Sequence, residues 1–183
     1  MQKLLLWLSI AVLTFSLVGC QALFPSAQYS VKRVSDGDTI AVTDARGDDI
    51  KVRFACVDAP EVPHSTKERY SKKALDRDQF KWGVKAQDRV KQLVKQAGDR
   101  VTLTVTDSDR YGRKVSEVRL PDGTFIQEVL AREGLVLVYR PYLKNCPTAA
   151  VVEQAEAQAK QQRRGVWSDA KFVEPWEYRS SKR

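Results

Sequence analysis

The sequence predicts a small α+β domain in which five β-strands and about three α-helices share one core. Two patterns support this prediction. Short runs of alternating or β-branched residues, bounded by turn residues, recur along the chain. Longer segments with apolar residues at spacings of three and four lie between and after them. At 183 residues the chain is long enough for one domain with a substantial core.

Five segments have the composition of strands and are separated by turns rich in Gly, Asp and Pro. Their bounds are 29–34, 39–43, 50–57, 101–106 and 115–120. The first three follow one another closely, which predicts an antiparallel meander. Five strands in two antiparallel groups with interspersed helices favour an oligonucleotide-binding (OB) fold β-barrel.

Three segments are predicted to be helical: 80–97, 124–133 and 149–162. The first has a continuous apolar face, and the second opens on Thr124 and Gln127, which have the spacing of a capping box. Two polar stretches are predicted to be irregular. These are residues 65–79, expected to be a solvated loop or a fraying helix start, with a substrate-facing flap as the alternative, and the aromatic tail after residue 165, expected to pack on the body as a loop.

The N-terminus has the features of a bacterial lipoprotein signal. A single Lys3 precedes an uncharged apolar segment, which is shorter than the ~20 residues of a membrane span and suits a secretory signal. It ends in Leu17-Val18-Gly19-Cys20, which resembles a lipobox and implies palmitate or a similar acyl chain on Cys20. The alternative is an ordinary signal peptide with an incidental cysteine.

These features divide the chain into four parts. They are a signal peptide over 1–19, a lipidated tether over 20–27, a folded domain over 28–178 and a basic C-terminal tail over 179–183. The protein is therefore expected to be exported and held at a cell-envelope membrane, which is the outer membrane if the cell has two.

Charge and cysteine content narrow the possible partners. The chain has 31 Lys and Arg against 23 Asp and Glu, a net charge of +8, which favours nucleic acid or an anionic membrane surface. A lone histidine and no Cys-x-x-Cys motif leave no zinc site. Cys56 and Cys146 are an even pair in an exported domain and are candidates for a disulfide, or for two buried free thiols.

Two acidic loops follow predicted strands. Asp36 and Asp38 lie in one, and Asp58 and Glu61 in the other. Carboxylates without a Cys or His cluster suit a hard cation such as Ca²⁺ or Mg²⁺, although Asp-Gly is also a common hairpin turn.

Two arginines stand near these loops in the sequence. Arg53 lies inside a strand, where an unpaired charge is unfavourable, and Arg113 lies in a polar loop between strands. An arginine can bind a phosphate through two parallel donors. A structural ion pair is the alternative for each.

The chain resembles the staphylococcal nuclease family from Tyr29 to about Trp176. The motifs that carry the resemblance are Val34-Ser-Asp-Gly-Asp-Thr-Ile40, Val52-Arg53, Val57-Asp58-Ala59-Pro60-Glu61, Asp109-Arg110-Tyr111-Gly112-Arg113, Gly134-Leu135, Ala155-Glu156-Ala157-Gln158-Ala159-Lys160 and Gly165-Val166-Trp167. Each motif is short, but their order and spacing together are specific. The family fold is an OB barrel with three helices, in agreement with the prediction from the residue pattern.

The resemblance implies a role for each matching residue. Asp38, Asp58 and the backbone carbonyl of Ala59 match the calcium ligands, and Asp36 matches an acidic residue that supports them. Glu61 matches the general base.

Arg53 and Arg113 match the pair that grips the scissile phosphate. Tyr139 and Tyr142 lie where the family has nucleotide-stacking tyrosines, in an ambiguous register, and Tyr111 belongs to the matching loop.

The implied activity is calcium-dependent hydrolysis of DNA and RNA with little sequence preference, giving 5′-hydroxyl and 3′-phosphate ends, by a monomer. No obligate protein partner is implied. Two alternatives from other classes remain at this point. One is a lipoprotein whose OB barrel binds nucleic acid or protein without cutting it, and the other is a structural envelope lipoprotein whose basic surface meets anionic lipid.

Overall fold

The computed structural model describes residues 28–183, so the predicted signal peptide, Cys20 and the tether lie outside the described residues. The strands are β1 Gln28–Val34, β2 Thr39–Thr43, β3 Asp49–Phe54, β4 Val57–Asp58, β5 Arg100–Ser108, β6 Lys114–Arg119 and β7 Leu137–Val138. The α-helices are α1 Thr66–Arg69, α2 Ala74–Gln96, α3 Ile126–Arg132, α4 Ala149–Gln161 and α5 Pro175–Ser181. Two 3₁₀ helices cover Arg140–Asn145 and Gly165–Ser168.

Five strands close into a barrel in the order β1-β2-β3-β6-β5, which confirms the predicted OB-type α+β fold. All pairs are antiparallel except β3 with β6, which is parallel. In β2 and β3 the alternation of side chains sends Ile40, Val42, Val52 and Phe54 into the interior, where each is almost fully buried. The two short strands β4 and β7 pair separately beside the barrel.

The helices cover the barrel and share its core. Ala86, Val90 and Leu93 of α2 are buried against it, as the apolar spacing predicts. Helices α3 and α4 pack on each other and contribute Leu130 and Val152 to the same core. Within residues 28–183, no helix is both long enough and apolar enough to cross a membrane.

Helix α2 begins at Ala74, inside the segment that the sequence predicts as a solvated loop or a fraying helix start. A helix does start here, but it is packed rather than frayed, because two of its first polar side chains are buried. Asp76 accepts hydrogen bonds from Ser71 and Tyr178, and Gln79 is fully buried. Tyr178 bonds Asp76 and Val173 bonds Gln79 from more than 90 positions away, so no local pattern reveals that these groups are buried.

Two further elements differ from the sequence prediction. The capping box is wrong: Phe125 caps α3 without a side-chain bond, and Gln127 instead bonds the backbone of Val118 and Ser116 in β6. The tail expected to be a loop forms α5, which runs past residue 178, where the folded domain was expected to end.

A disulfide joins Cys56, in the bend between β3 and β4, to Cys146, just after the first 3₁₀ helix. The Cα atoms are 5.5 Å apart and the residues are separated by 90 positions. Closing so long a loop restricts the unfolded chain and contributes ~2–4 kcal/mol of stability. Cys56 has a positive φ of 73°. Two contacts hold this bend in place: the disulfide and a hydrogen bond that Tyr139 N donates to the Cys56 carbonyl.

Candidate active site

A cavity of about 710 Å³ opens at one end of the barrel, between the β1–β2 loop, the loop after β4, the β5–β6 loop and α5. Every site residue that the sequence predicts in the described part of the chain lines it. These are Asp36, Asp38, Arg53, Asp58, Ala59, Glu61, Tyr111, Arg113, Tyr139 and Tyr142. Residues separated by up to 106 positions in the sequence therefore meet in one place.

A second cavity, of about 310 Å³, lies beside α4. Its buried Glu156 is already paired, because it accepts hydrogen bonds from Lys160, Arg140 and the Val138 backbone. These bonds tie α4 to β7 and to the following 3₁₀ helix, so the charges of this cavity serve the structure.

Asp38 connects the two acidic loops. Its carboxylate accepts a hydrogen bond from Ala59 N at 2.5 Å, and its carbonyl accepts one from Phe54 N at 2.7 Å. The Asp36 carboxylate in turn accepts a hydrogen bond from Asp38 N at 3.0 Å. Asp36 therefore stiffens the loop that presents Asp38.

Arg53 bridges the two buried aspartates. Its Nη1 lies 2.8 Å from Asp38 Oδ2, and its Nη2 lies 2.7 Å from Asp58 Oδ1. The register of the barrel explains the first contact, because Thr39, next to Asp38, pairs directly with Arg53 across β2 and β3. The anionic partner expected for an arginine inside a strand is thus a pair of carboxylates.

Burial raises the pKa of both aspartates. The pKa of Asp38 is raised to about 7, chiefly by desolvation, with Arg53 opposing the shift and the Asp36 carboxylate adding to it. Desolvation likewise raises the pKa of Asp58, again against the lowering effect of Arg53. The cluster has more buried negative charge than Arg53 alone can compensate, so a bound cation would favour the ionised carboxylates.

Glu61 lies on the loop after β4, and helix α2 packs against that loop. Gln79 accepts a hydrogen bond from Glu61 N at 3.3 Å. Gly83 lets the helix approach so closely that a Cβ there would overlap the Glu61 carbonyl and lie 2.7 Å from the Pro60 carbonyl. The side chain of Glu61 is 25% exposed and faces the cavity.

Arg113 occupies the opposite wall of the cavity, in the β5–β6 loop. Asp109 holds it: one carboxylate oxygen lies 2.6 Å from Arg113 Nε, and the other accepts the backbone N–H groups of Tyr111 and Arg113 at 2.9 Å each. Within residues 28–183, the terminal nitrogens of Arg113 make no hydrogen bond. Asp109 therefore orients the Arg113 guanidinium through Nε, and the two terminal nitrogens remain available to bind an anion.

The three predicted tyrosines form two groups at the cavity. Tyr111 is 68% exposed and stacks under the guanidinium of Arg110, at 4.9 Å from the ring centre. Tyr139 and Tyr142 stack on each other with ring centres 5.2 Å apart, and Tyr142 is 57% exposed. Tyr139 also contacts Trp176 of α5, which anchors the pair.

Sequence reasoning missed Arg179. This residue lies in α5, and its Nη2 is 2.6 Å from Asp58 Oδ2 while its Nη1 is 2.7 Å from Glu61 Oε1. Residues 179–183 were assigned to a basic C-terminal tail, following an aromatic segment expected to be a loop. The available signal was Pro175, a residue favoured in the first turn of a helix, followed by the aromatic Trp176 and Tyr178.

A small closed barrel with carboxylates and arginines gathered at one end is suited to binding a hard cation and an anionic phosphodiester. Residues 51–169 match the family described as "Staphylococcal nuclease homologue".

Curated relatives agree with this match. An "Uncharacterized endonuclease" of Escherichia coli O157:H7 is 39% identical over 152 residues, covering 83% of this chain and 84% of the relative. A "Micrococcal nuclease" of Shigella flexneri is 34% identical, over 81% and 78% of the two chains. A "Thermonuclease" of Staphylococcus hyicus is 34% identical, over 77% and 76%. The chain therefore belongs to the staphylococcal nuclease family, and it is a nuclease, a hydrolase of nucleic acids.

The packing of α2 against the Glu61 loop generates a test. Gly83→Ala should lower the free energy of unfolding by ~1–3 kcal/mol, the usual range for overpacking, although alanine is normally the better helix former by ~1 kcal/mol. It should also reduce nuclease activity per folded molecule, since the loop that carries Glu61 must shift.

Denaturant unfolding and activity assays would measure both effects of Gly83→Ala. Val84→Ala, at the next and more exposed position of α2, is the control and should change little. Unaltered stability and activity in Gly83→Ala would show that the contact does not constrain the site.

Proposed function

We propose that this protein is a calcium-dependent nuclease that cleaves DNA and RNA with little sequence preference and leaves 5′-hydroxyl and 3′-phosphate ends. The observation that carries the proposal is the pairing of Asp38 and Asp58 by Arg53, with Glu61 in the same cavity. The family is generally metal-dependent, and the identity of the ion is part of the proposal.

The residues present fit a hard divalent cation. Asp38 and Asp58 offer carboxylate oxygens and Ala59 offers a backbone carbonyl, which are the donor types that Ca²⁺ prefers. Two protein carboxylates leave further coordination positions for water and for a substrate phosphate. When bound, the ion offsets the negative charge that builds up on the phosphate during hydrolysis.

One other compact group of candidate ligands in the described chain is unsuited to a metal. It consists of Cys56, Cys146 and Glu117. The cysteines are consumed by the disulfide, and Glu117 accepts two hydrogen bonds from Thr148.

The arginines and Glu61 supply the remaining chemistry. Arg113 offers its terminal nitrogens to the phosphate, while Arg53 adds its positive charge from its place between Asp38 and Asp58 in the same cavity. Neither guanidinium loses its charge near neutral pH. Glu61 accepts a proton from the attacking water as its oxygen bonds to phosphorus. The bond from phosphorus to the 5′ oxygen breaks, and the leaving oxygen takes a proton from solvent to become the 5′-hydroxyl, so the phosphate stays on the 3′ side.

The tyrosines support binding without sequence discrimination. Tyr111 and Tyr142 expose ring faces at the cavity, and aromatic faces stack with any base. Cations that grip the backbone and rings that stack do not read base edges. A nuclease of this construction therefore accepts many sequences, and it can act as a monomer because one chain supplies every proposed group.

The non-catalytic alternatives lose support from the same observations. A binding module has no use for two buried carboxylates bridged by Arg53 in the same cavity as Glu61. A structural lipoprotein that meets lipid through its basic surface has no use for a cavity lined by these acids. The nuclease class of the family also speaks against both.

Mutation of a proposed ligand gives a direct test of the metal. Asp38→Asn should abolish most Ca²⁺-dependent activity and weaken Ca²⁺ binding by calorimetry, because the ion loses one of two carboxylates. Asp122→Asn, in the other Asp-Gly turn of the chain, is the control and should retain both. Chelator should silence the unmutated protein, and Mg²⁺ should restore activity only in part. Full activity in chelator would contradict the metal, and faster cleavage in Mg²⁺ would contradict the choice of calcium.

Glu61→Gln tests the proposed base. The substitution keeps the shape of the side chain but removes its ability to accept a proton, so kcat should fall by ~10²–10⁴-fold with KM little changed. Thermal unfolding of the variant should match that of the parent protein. Normal turnover in a folded Glu61→Gln protein would exclude Glu61 as the base.

We propose further that the nuclease is tethered to an envelope membrane through an acylated Cys20. The support is the sequence of residues 1–20. Cys20→Ala should leave the protein unprocessed or release it from the membrane fraction, as followed by fractionation and immunoblotting. Unchanged processing and membrane retention would contradict the anchor.

A further inference from the structure

Helix α5 follows residues 51–169, the segment that matches the family model. It nevertheless contributes a side chain to the cavity. Arg179 lies between Asp58 and Glu61 and contacts both carboxylates through its terminal nitrogens, at 2.6 and 2.7 Å. Glu61 is the proposed general base, so Arg179 contacts the group that would accept the proton.

The helix is firmly docked, so the position of Arg179 is a built feature of the fold. Tyr178 is 5% exposed, packs edge-on against Phe80, and donates a hydrogen bond to the buried Asp76. Lys182 forms an ion pair with the same carboxylate at 2.6 Å. These contacts fix α5 against α2, the same helix that supports the Glu61 loop through Gly83.

The two terminal nitrogens of Arg179 are directed at carboxylates, which distinguishes it from Arg113. Nη2 binds Asp58, Nη1 binds Glu61 Oε1, and a longer contact of 3.3 Å joins Nη1 to Asp58 Oδ1. Within the described chain, the other oxygen of Glu61, Oε2, accepts no hydrogen bond. One oxygen of the proposed base is therefore held, and the other is available to a water molecule.

We propose that Arg179 is a positioning residue that fixes the Glu61 carboxylate for proton transfer, so that α5 completes the active site. This inference rests on the proposed function of Glu61. A glutamate has three side-chain torsions, and a displacement of about 1 Å can cost ~10²-fold in rate. The guanidinium of Arg179 restricts that freedom because it binds Glu61 Oε1 and Asp58 at the same time. Asp58 is itself held by Arg53.

A double-mutant cycle between Arg179 and Glu61 tests the proposal. Arg179→Met should lower kcat by ~10-fold or more at saturating Ca²⁺, with KM changed far less. In the Glu61→Gln background the same substitution should have no further effect, because Arg179 acts through the group already removed. Arg179→Lys, which keeps the charge but not the two-pronged geometry, should recover part of the loss.

The controls separate this role from general effects. Lys95→Met removes one exposed positive charge that pairs with Asp99, and it should leave kcat unchanged. Arg179 is 41% exposed, so the folded state should survive its replacement, as monitored by circular dichroism and thermal unfolding.

Several outcomes would overturn the proposal. Equal losses from Arg179→Met in the parent and Glu61→Gln backgrounds would show that Arg179 acts independently of Glu61. A loss that disappears at higher Ca²⁺ concentration, with weakened Ca²⁺ binding by calorimetry, would show that it acts on the metal ligand Asp58 instead. If Arg179→Met had a normal kcat while Glu61→Gln had a reduced kcat, the role of Arg179 would be refuted and Glu61 would remain the proposed base. Normal turnover in Glu61→Gln would remove the proposed base and Arg179 with it.

Discussion

Arg53 lies between Asp38 and Asp58, with one terminal nitrogen on each carboxylate at 2.8 and 2.7 Å. Both aspartates are almost completely buried, and removing two like charges from water costs several kcal/mol per ion unless a counter-charge compensates for it. Arg53, together with Arg179 on Asp58, supplies that compensation only in part, since desolvation still raises the pKa of both acids. The open end of the barrel is thus assembled around a charge imbalance that suits a divalent cation and an anionic substrate.

The rest of the fold keeps this cluster from relaxing. The barrel register sets Arg53 beside the Asp38 loop, and the disulfide at Cys56 fixes the bend that leads to Asp58. Helix α2 supports both acidic loops: Gly83 meets the backbone of the Glu61 loop, and Ala86 meets Gly37 of the Asp38 loop. A site held this rigidly has its charges in place before the substrate arrives, which is the main electrostatic contribution to catalysis in many enzymes.

The barrel and most of the site could be predicted from the sequence because their signals are local. Alternation in β2 and β3 marks the strands, and Asp36, Asp38, Arg53, Asp58 and Glu61 lie within 26 consecutive positions that bear the family motifs. Strand pairing then brings these residues together with little dependence on distant parts of the chain.

The features that sequence reasoning missed depend on distant contacts. Arg179 reaches Glu61 across 118 positions, and Tyr178 reaches Asp76 across 102. Neither pair shows a repeat or a motif. The polar start of α2 was predicted as a solvated loop or a fraying helix start because burial of Asp76 and Gln79 is visible only once α5 and the segment before it are in place. Gln127 was misassigned for another reason: its spacing from Thr124 imitates a capping box, whereas its partners Val118 and Ser116 lie only 9 and 11 positions away in β6.

The central claim is that Arg53 both unites the metal-binding carboxylates and acts on the phosphate, and Arg53→Lys tests it most directly. A lysine keeps the charge but cannot bridge two carboxylates with a planar fork. We expect kcat to fall by ~10²–10³-fold, the usual effect of losing one donor to the transition state. Ca²⁺ binding should also weaken, while circular dichroism stays native. Arg33→Lys, on the exposed face of β1, should behave as the parent protein. A folded Arg53→Lys variant with parental kcat and Ca²⁺ affinity would contradict the account.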